Sequence, residues 1–185
     1  MKNPILPVLL LFSCVLLHAD QEASNIPYVK SGTWGRCYVK AVPDGYYGTN
    51  GKTLVYVVRK DADVLVHTFP WYSQQVHLQG NMVGPQGYGE GSEVSLVRMG
   101  GWSRRDRPSR EELALAFYYN GRLFAAYSTL DISGKTMAHS RSASHIRVIR
   151  EVKGYRWVTG NSWAFDIVTV DGRTLSYNPV TGKRM

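Results

Sequence analysis

Residues 113–119 and 122–127 are two runs of strand-forming residues, and between them sits Asn120-Gly121, a dipeptide that accepts positive φ at both central positions of a tight turn. The same arrangement recurs where 165–170 and 173–177 flank Asp171-Gly172. A third hairpin joins 54–58 to 64–69 through the polar loop 59–63. Single strands are expected at 36–42, 75–79, 93–99 and 145–152, with 155–158 pairing back on 145–152 through Lys153-Gly154. Within 113–119, Leu113, Leu115, Phe117 and Tyr119 fall on one face and Ala114, Ala116 and Tyr118 on the other. A strand apolar on both faces lies inside a closed barrel or between layers.

Helix signals are nearly absent. Ser109 and Glu112 have capping-box spacing, but the aromatic run beginning at Leu113 limits any helix there to one turn. The pattern therefore predicts an all-β fold, an antiparallel meander forming a β-sandwich or a small β-barrel, with little or no helix after the N-terminal segment.

That N-terminal segment is the only sustained departure from the strand pattern. Lys2, the apolar run 5–17 and the small-residue ending Leu17-His18-Ala19 have the arrangement of a secretory signal peptide. Cleavage after Ala19 would release a secreted or periplasmic protein with a flexible leader at 20–33 and one β domain at 34–185. Cys14 follows Leu11-Phe12-Ser13, a poor lipoprotein signal because Phe12 is bulky and Val15-Leu16-Leu17 continue the apolar run. The run of 13 residues falls short of the roughly 20 that a bilayer-spanning helix requires. Cys37 would then be the remaining thiol, so no intrachain disulfide framework is expected. Its setting in Arg36-Cys37-Tyr38-Val39 suits a buried core position; the alternative is a covalent dimer through this thiol.

Composition narrows the function by exclusion. Among 185 residues, 44% are hydrophobic and 19% charged, enough apolar surface for a packed core. No HxH, HxxxH or HExxH spacing marks a metal site, and neither a metal nor another cofactor is expected. There is no GxSxG nucleophile motif. Ser128, Asp131 and His145 supply the residue types of a hydrolase triad without a diagnostic spacing, so a hydrolase is the weaker alternative. Glu90, Glu93, Asp61 and Asp63 sit in turns and glycine-rich loops, and the glycines of 84–91 lack a following helix to hold phosphate.

Two features remain. Loops 44–51 and 80–91 place Tyr46, Tyr47 and Tyr88 among glycines, where rings reach a ligand at low steric cost. The net charge is +8, and its basic residues gather as Arg104, Arg105, Arg107 and Arg110 and again as Arg141, Arg147, Arg150, Lys153 and Arg156. If the two groups share a face, they form a patch for an anionic envelope surface or a small ligand. Nothing points to nucleic acid.

Gly32-Thr33-Trp34 at the start of the domain resembles the Gly-x-Trp signature of lipocalin-type carriers, which would imply a closed meander barrel. The resemblance is confined to those residues and the strand pattern, since the disulfides common in that group are missing and the Asp171-Gly172 hairpin stands where its C-terminal helix would be. The expected function is a non-enzymatic exported domain that binds through Tyr46, Tyr47, Tyr88, Arg104, Arg105 and Arg107.

Overall fold

The computed structural model describes residues 22–32, 35–80, 93–142, 145–159 and 162–185. The segment 1–19 with Cys14, the pair Thr33-Trp34, and Tyr88 with most of its loop lie outside the described residues.

The described chain is all-β, built from antiparallel meanders. One sheet contains β1 (Tyr28–Ser31), β2 (Cys37–Pro43), β3 (Gly51–Val57) and β4 (Val64–Phe69) in chain order. A second contains β5 (Val76–Gly80), β6 (Val94–Met99), β7 (Leu113–Tyr119) and β8 (Arg122–Ser128). After the short helix α1 (Thr129–Ser133) come a two-stranded ribbon of β9 (Ser140–Arg141) and β10 (Ile146–Arg147), then a third large sheet of β11 (Ile149–Val158), β12 (Ser162–Thr169) and β13 (Thr174–Tyr177). Among the described residues these sheets stay open. The closed barrel implied by the lipocalin resemblance is therefore replaced by sandwich-like layers.

Strand alternation explains the layering. On β6, Val94 and Leu96 join Cys37, Val39, Val55 and Val76 in one core, while Val97 and Met99 face Phe165, Ile167 and Leu175 in the other. Leu115 and Phe117 of β7 belong to this second core, and Tyr118 packs against the first. The two-faced apolar pattern of 113–119 thus marks a strand between layers. Hydroxyls also cross the layers: Tyr155 donates to the Ser95 carbonyl at 3.0 Å and Tyr127 to that of Gly182 at 2.7 Å.

The Asn120-Gly121 turn forms as expected, with φ of 46° at Asn120 and 78° at Gly121; Asp171-Gly172 also joins its two strands, but there only Gly172 has positive φ, 85°. Three expectations need correction. First, the leader is not uniformly loose, because Tyr28–Ser31 adds to the edge of β2 with Val29 opposite Lys40. Second, 155–158 does not fold back on 145–152: β11 runs on through Gly154, whose φ of +83° accommodates a register shift, and it pairs with β12. Third, 109–113 is not helical. Ser109 Oγ accepts from the Glu111 amide, Glu112 is drawn to the Ser103 hydroxyl, and the capping box forms instead around α1 between Ser128 and Asp131.

His77 of β5 sets its ring edge against Phe165 of β12, 5.5 Å between centroids. Burial, reinforced by the Lys30 charge, lowers its pKa from 6.5 to about 4. Between those values the unfolded chain binds more protons, so this imidazole's contribution to stability is complete above pH 6.5 and is lost as pH falls toward about 4. His77→Gln is expected to flatten that part of the pH dependence, measured as urea midpoints from pH 7 down to pH 4.

Candidate functional site

The loop between β2 and β3 is a rigid frame with its rings turned outward. The Asp44 amide donates to the Asn50 carbonyl at 3.1 Å and the Tyr72 amide to that of Thr49 at 2.8 Å. Buried Asn25 binds the loop from beneath: its amide reaches the Tyr46 carbonyl at 2.7 Å, and its Nδ2 reaches the carbonyls of Gly45 and Gly48 at 3.2 and 3.0 Å. With five of its carbonyls bonded in this way, the loop leaves Tyr46 79% and Tyr47 54% exposed. These tyrosines do not cover the core.

The arginine loop joining β6 to β7 lies beside this frame. A Cβ placed on Gly101 would be 3.1 Å from Thr49 Cγ2, so the two loops touch. Arg104 pairs with Glu22 at 2.5 Å; that carboxylate, with a smaller contribution from Tyr47, raises the guanidinium's pKa. Arg105 is held by Glu111, and Arg141 by Asp106 at 2.8 Å. Arg107 is exposed and makes no ion pair among the described residues. The Ile146 amide donates to the Ser103 carbonyl at 3.0 Å, which ties this loop to β10 and brings the second basic group alongside the first. Tyr46, Tyr47 and the Arg104 to Arg107 segment thus come together at one end.

Between the ends of β6 and β7 and the β10–β11 segment opens a groove of about 580 Å³. Trp102 lines it, half-buried, with its ring 3.7 Å from that of His145. Gln74, Gln75, Arg147, Arg150 and Glu151 supply its polar lining. Sequence reasoning did not single out Trp102 or the two glutamines. The available signal was a tryptophan following Gly100-Gly101 at the head of an arginine-rich loop, where glycines let β6 and β7 approach closely.

Ser128 and Asp131 are joined by a 2.7 Å hydrogen bond, but their geometry is that of a helix cap. His145 bonds Ser142 through Nδ1 at 2.6 Å, and no hydrogen bond links it to Ser128 or Asp131. Among the described residues, no three His, Cys, Asp or Glu side chains converge as metal ligands. No described helix is long and apolar enough to cross a membrane.

Cys37 is 1% exposed, packed against Gly32 and Gly80, and burial pushes its thiol up to about 11. A covalent dimer needs an accessible thiolate, so the structure removes the basis for that alternative. Alkylation followed by peptide mapping is expected to label Cys37 only after the protein is unfolded.

Comparison with protein-family profiles, with curated protein sequences and with solved structures finds no match to this chain.

Proposed function

We propose that this is an exported, non-enzymatic β domain that binds an anionic envelope surface or a small anionic ligand through its loop aromatics and basic residues. The observation that carries the reading is the meeting of two loops, one presenting Tyr46 and Tyr47 on a hydrogen-bonded frame, the other presenting Arg104, Arg105 and Arg107. Exposed rings beside guanidiniums supply contact area and charge attraction together, and the attraction weakens as salt screens it. The ion pairs of Arg104 and Arg105 do not remove this attraction, because exposed pairs are weak and exchange readily with another anion.

Export by the 1–19 segment belongs to the same proposal. Its support is the charged start, apolar middle and small-residue ending of that segment.

Co-sedimentation of the purified protein with vesicles of equal parts phosphatidylglycerol and phosphatidylcholine, across a salt series, tests the surface arm; native mass spectrometry tests the small-ligand arm. Salt-sensitive binding that weakens in a Tyr46→Ser/Tyr47→Ser variant is expected, with little binding to pure phosphatidylcholine. No salt-dependent vesicle binding together with no bound species would overturn the reading.

A further inference from the structure

The groove holds charge that the fold leaves uncompensated. Five arginines outside it are matched, Arg104 with Glu22, Arg105 with Glu111, Arg141 with Asp106, Arg156 with Asp166 and Arg173 with Asp171, whereas Arg107 in the neighbouring loop is not matched among the described residues. Arg147 and Arg150 are exposed, both line the groove, and among the described residues neither side chain makes an ion pair or hydrogen bond. An anion seated between them would gain two charge-assisted contacts without first breaking an internal pair.

The neighbouring groups define the anion's class. The Gln74 and Gln75 amide nitrogens are already engaged, with the Ala23 carbonyl at 2.7 Å and His77 Nε2 at 3.0 Å, which leaves their carbonyl oxygens as acceptors. Glu151 adds a carboxylate, a further acceptor. Acceptors suit a ligand rich in hydroxyl donors, and the Trp102 ring, backed by His145, suits the apolar face of a sugar. An acyl chain is a poorer fit, because most of the apolar lining is taken up by the core: Met99, Ala114 and Val148 are buried at 5%, 6% and 4% exposure, and the half-buried Ile149 and Val152 pack against the same cluster. The volume of about 580 Å³ suits a short oligosaccharide.

We infer that this groove binds an acidic saccharide, a sugar chain bearing carboxylate or phosphate groups. Arg147 and Arg150 hold its anionic groups, Trp102 faces a sugar ring, and Gln74, Gln75 and Glu151 accept from its hydroxyls. The inference rests on the proposed binding function and specifies a ligand class and a site for it.

The test is calorimetric titration of the full chain with two acidic probes, an oligogalacturonate and a polyglycerol-phosphate oligomer, and with an uncharged maltooligosaccharide as control. Saturable binding of at least one acidic probe is expected, weakened about tenfold in Arg147→Gln and in Arg150→Gln. Because both side chains are exposed and unpaired, circular dichroism and thermal unfolding of these variants should match wild type. Failure of both acidic probes to bind overturns the inference, as does equal binding by the double variant or by the uncharged control. If vesicle binding persists under any of those outcomes, the broader function stands and only the saccharide site falls. Vesicle binding lost in the double variant, with no saccharide binding, would assign the groove to a lipid headgroup and likewise overturn it.

Discussion

A Gly100→Ala variant is expected to lose about 3 kcal/mol or more of folding stability, measured as a fall in the urea midpoint. The chain leaves β6 at Gly100, where its amide donates to the Ala114 carbonyl at 2.8 Å. A Cβ there would sit 1.8 Å from the Leu113 carbonyl oxygen and 3.3 Å from Ala114 Cα. Those are backbone atoms of β7, a strand bonded on both sides by β6 and β8, so they have little room to yield. Gly172→Ala is the comparison: its φ of +85° carries a conformational cost, but nothing lies within 4 Å of the added methyl. That variant should lose only about 1 kcal/mol. Equal losses would show that close backbone approach is not what position 100 requires.

Phe117→Ala is expected to cost about 3–5 kcal/mol, the range for emptying a large buried aromatic position. Phe117 is fully buried, and its ring lies 5.1 Å from that of Tyr177, 5.9 Å from Phe165 and 6.2 Å from Tyr127. It therefore joins β7 to the sheet of β11, β12 and β13 through Phe165 and Tyr177, while Tyr127 is its neighbour on β8. Phe124→Ala on β8, where the ring is 46% exposed, should change stability by no more than about 0.5 kcal/mol. Both variants are read by denaturant titration. Because Cys37 is unpaired and buried, no disulfide among the described residues offsets the lost packing.

The contrast between these aromatics also indicates what the sequence made legible. Period-two alternation and the Asn-Gly and Asp-Gly turns located β7, β8, β12 and β13 because those signals are local. Leu115 and Phe117 on one face with Tyr118 on the other gave the position of β7 between layers. Features decided by tertiary partners were harder to read. Tyr28–Ser31 is a strand because β2 offers it an edge, and the run at 146–158 divides because Ile146 bonds to the Ser103 segment before β11 turns to β12. The capping signal at Ser109 lost to Ser128 because Glu112 found a distant partner in Ser103. The candidate site divides in the same way. Glycine-flanked Tyr46 and Tyr47 were recognisable as exposed loop aromatics, whereas the contact of their loop with Gly101 and the groove beside Trp102 arise only from how the sheets stack.

Stacking also leaves a competing surface. Val64 and Leu65 on edge strand β4 are 46% and 48% exposed, and Leu123 and Phe124 on edge strand β8 are 56% and 46% exposed. Edge strands with exposed apolar side chains are places where another chain can add. The basic end and these edges therefore make opposite forecasts about where an anionic surface binds. Hydrogen exchange of the purified protein with and without anionic vesicles separates them. Slowed exchange in 44–50, 100–112 and 145–152, with β4 and β8 unchanged, is the predicted result. Slowed exchange confined to β4 and β8, with the tyrosine and arginine loops unaltered, would contradict it.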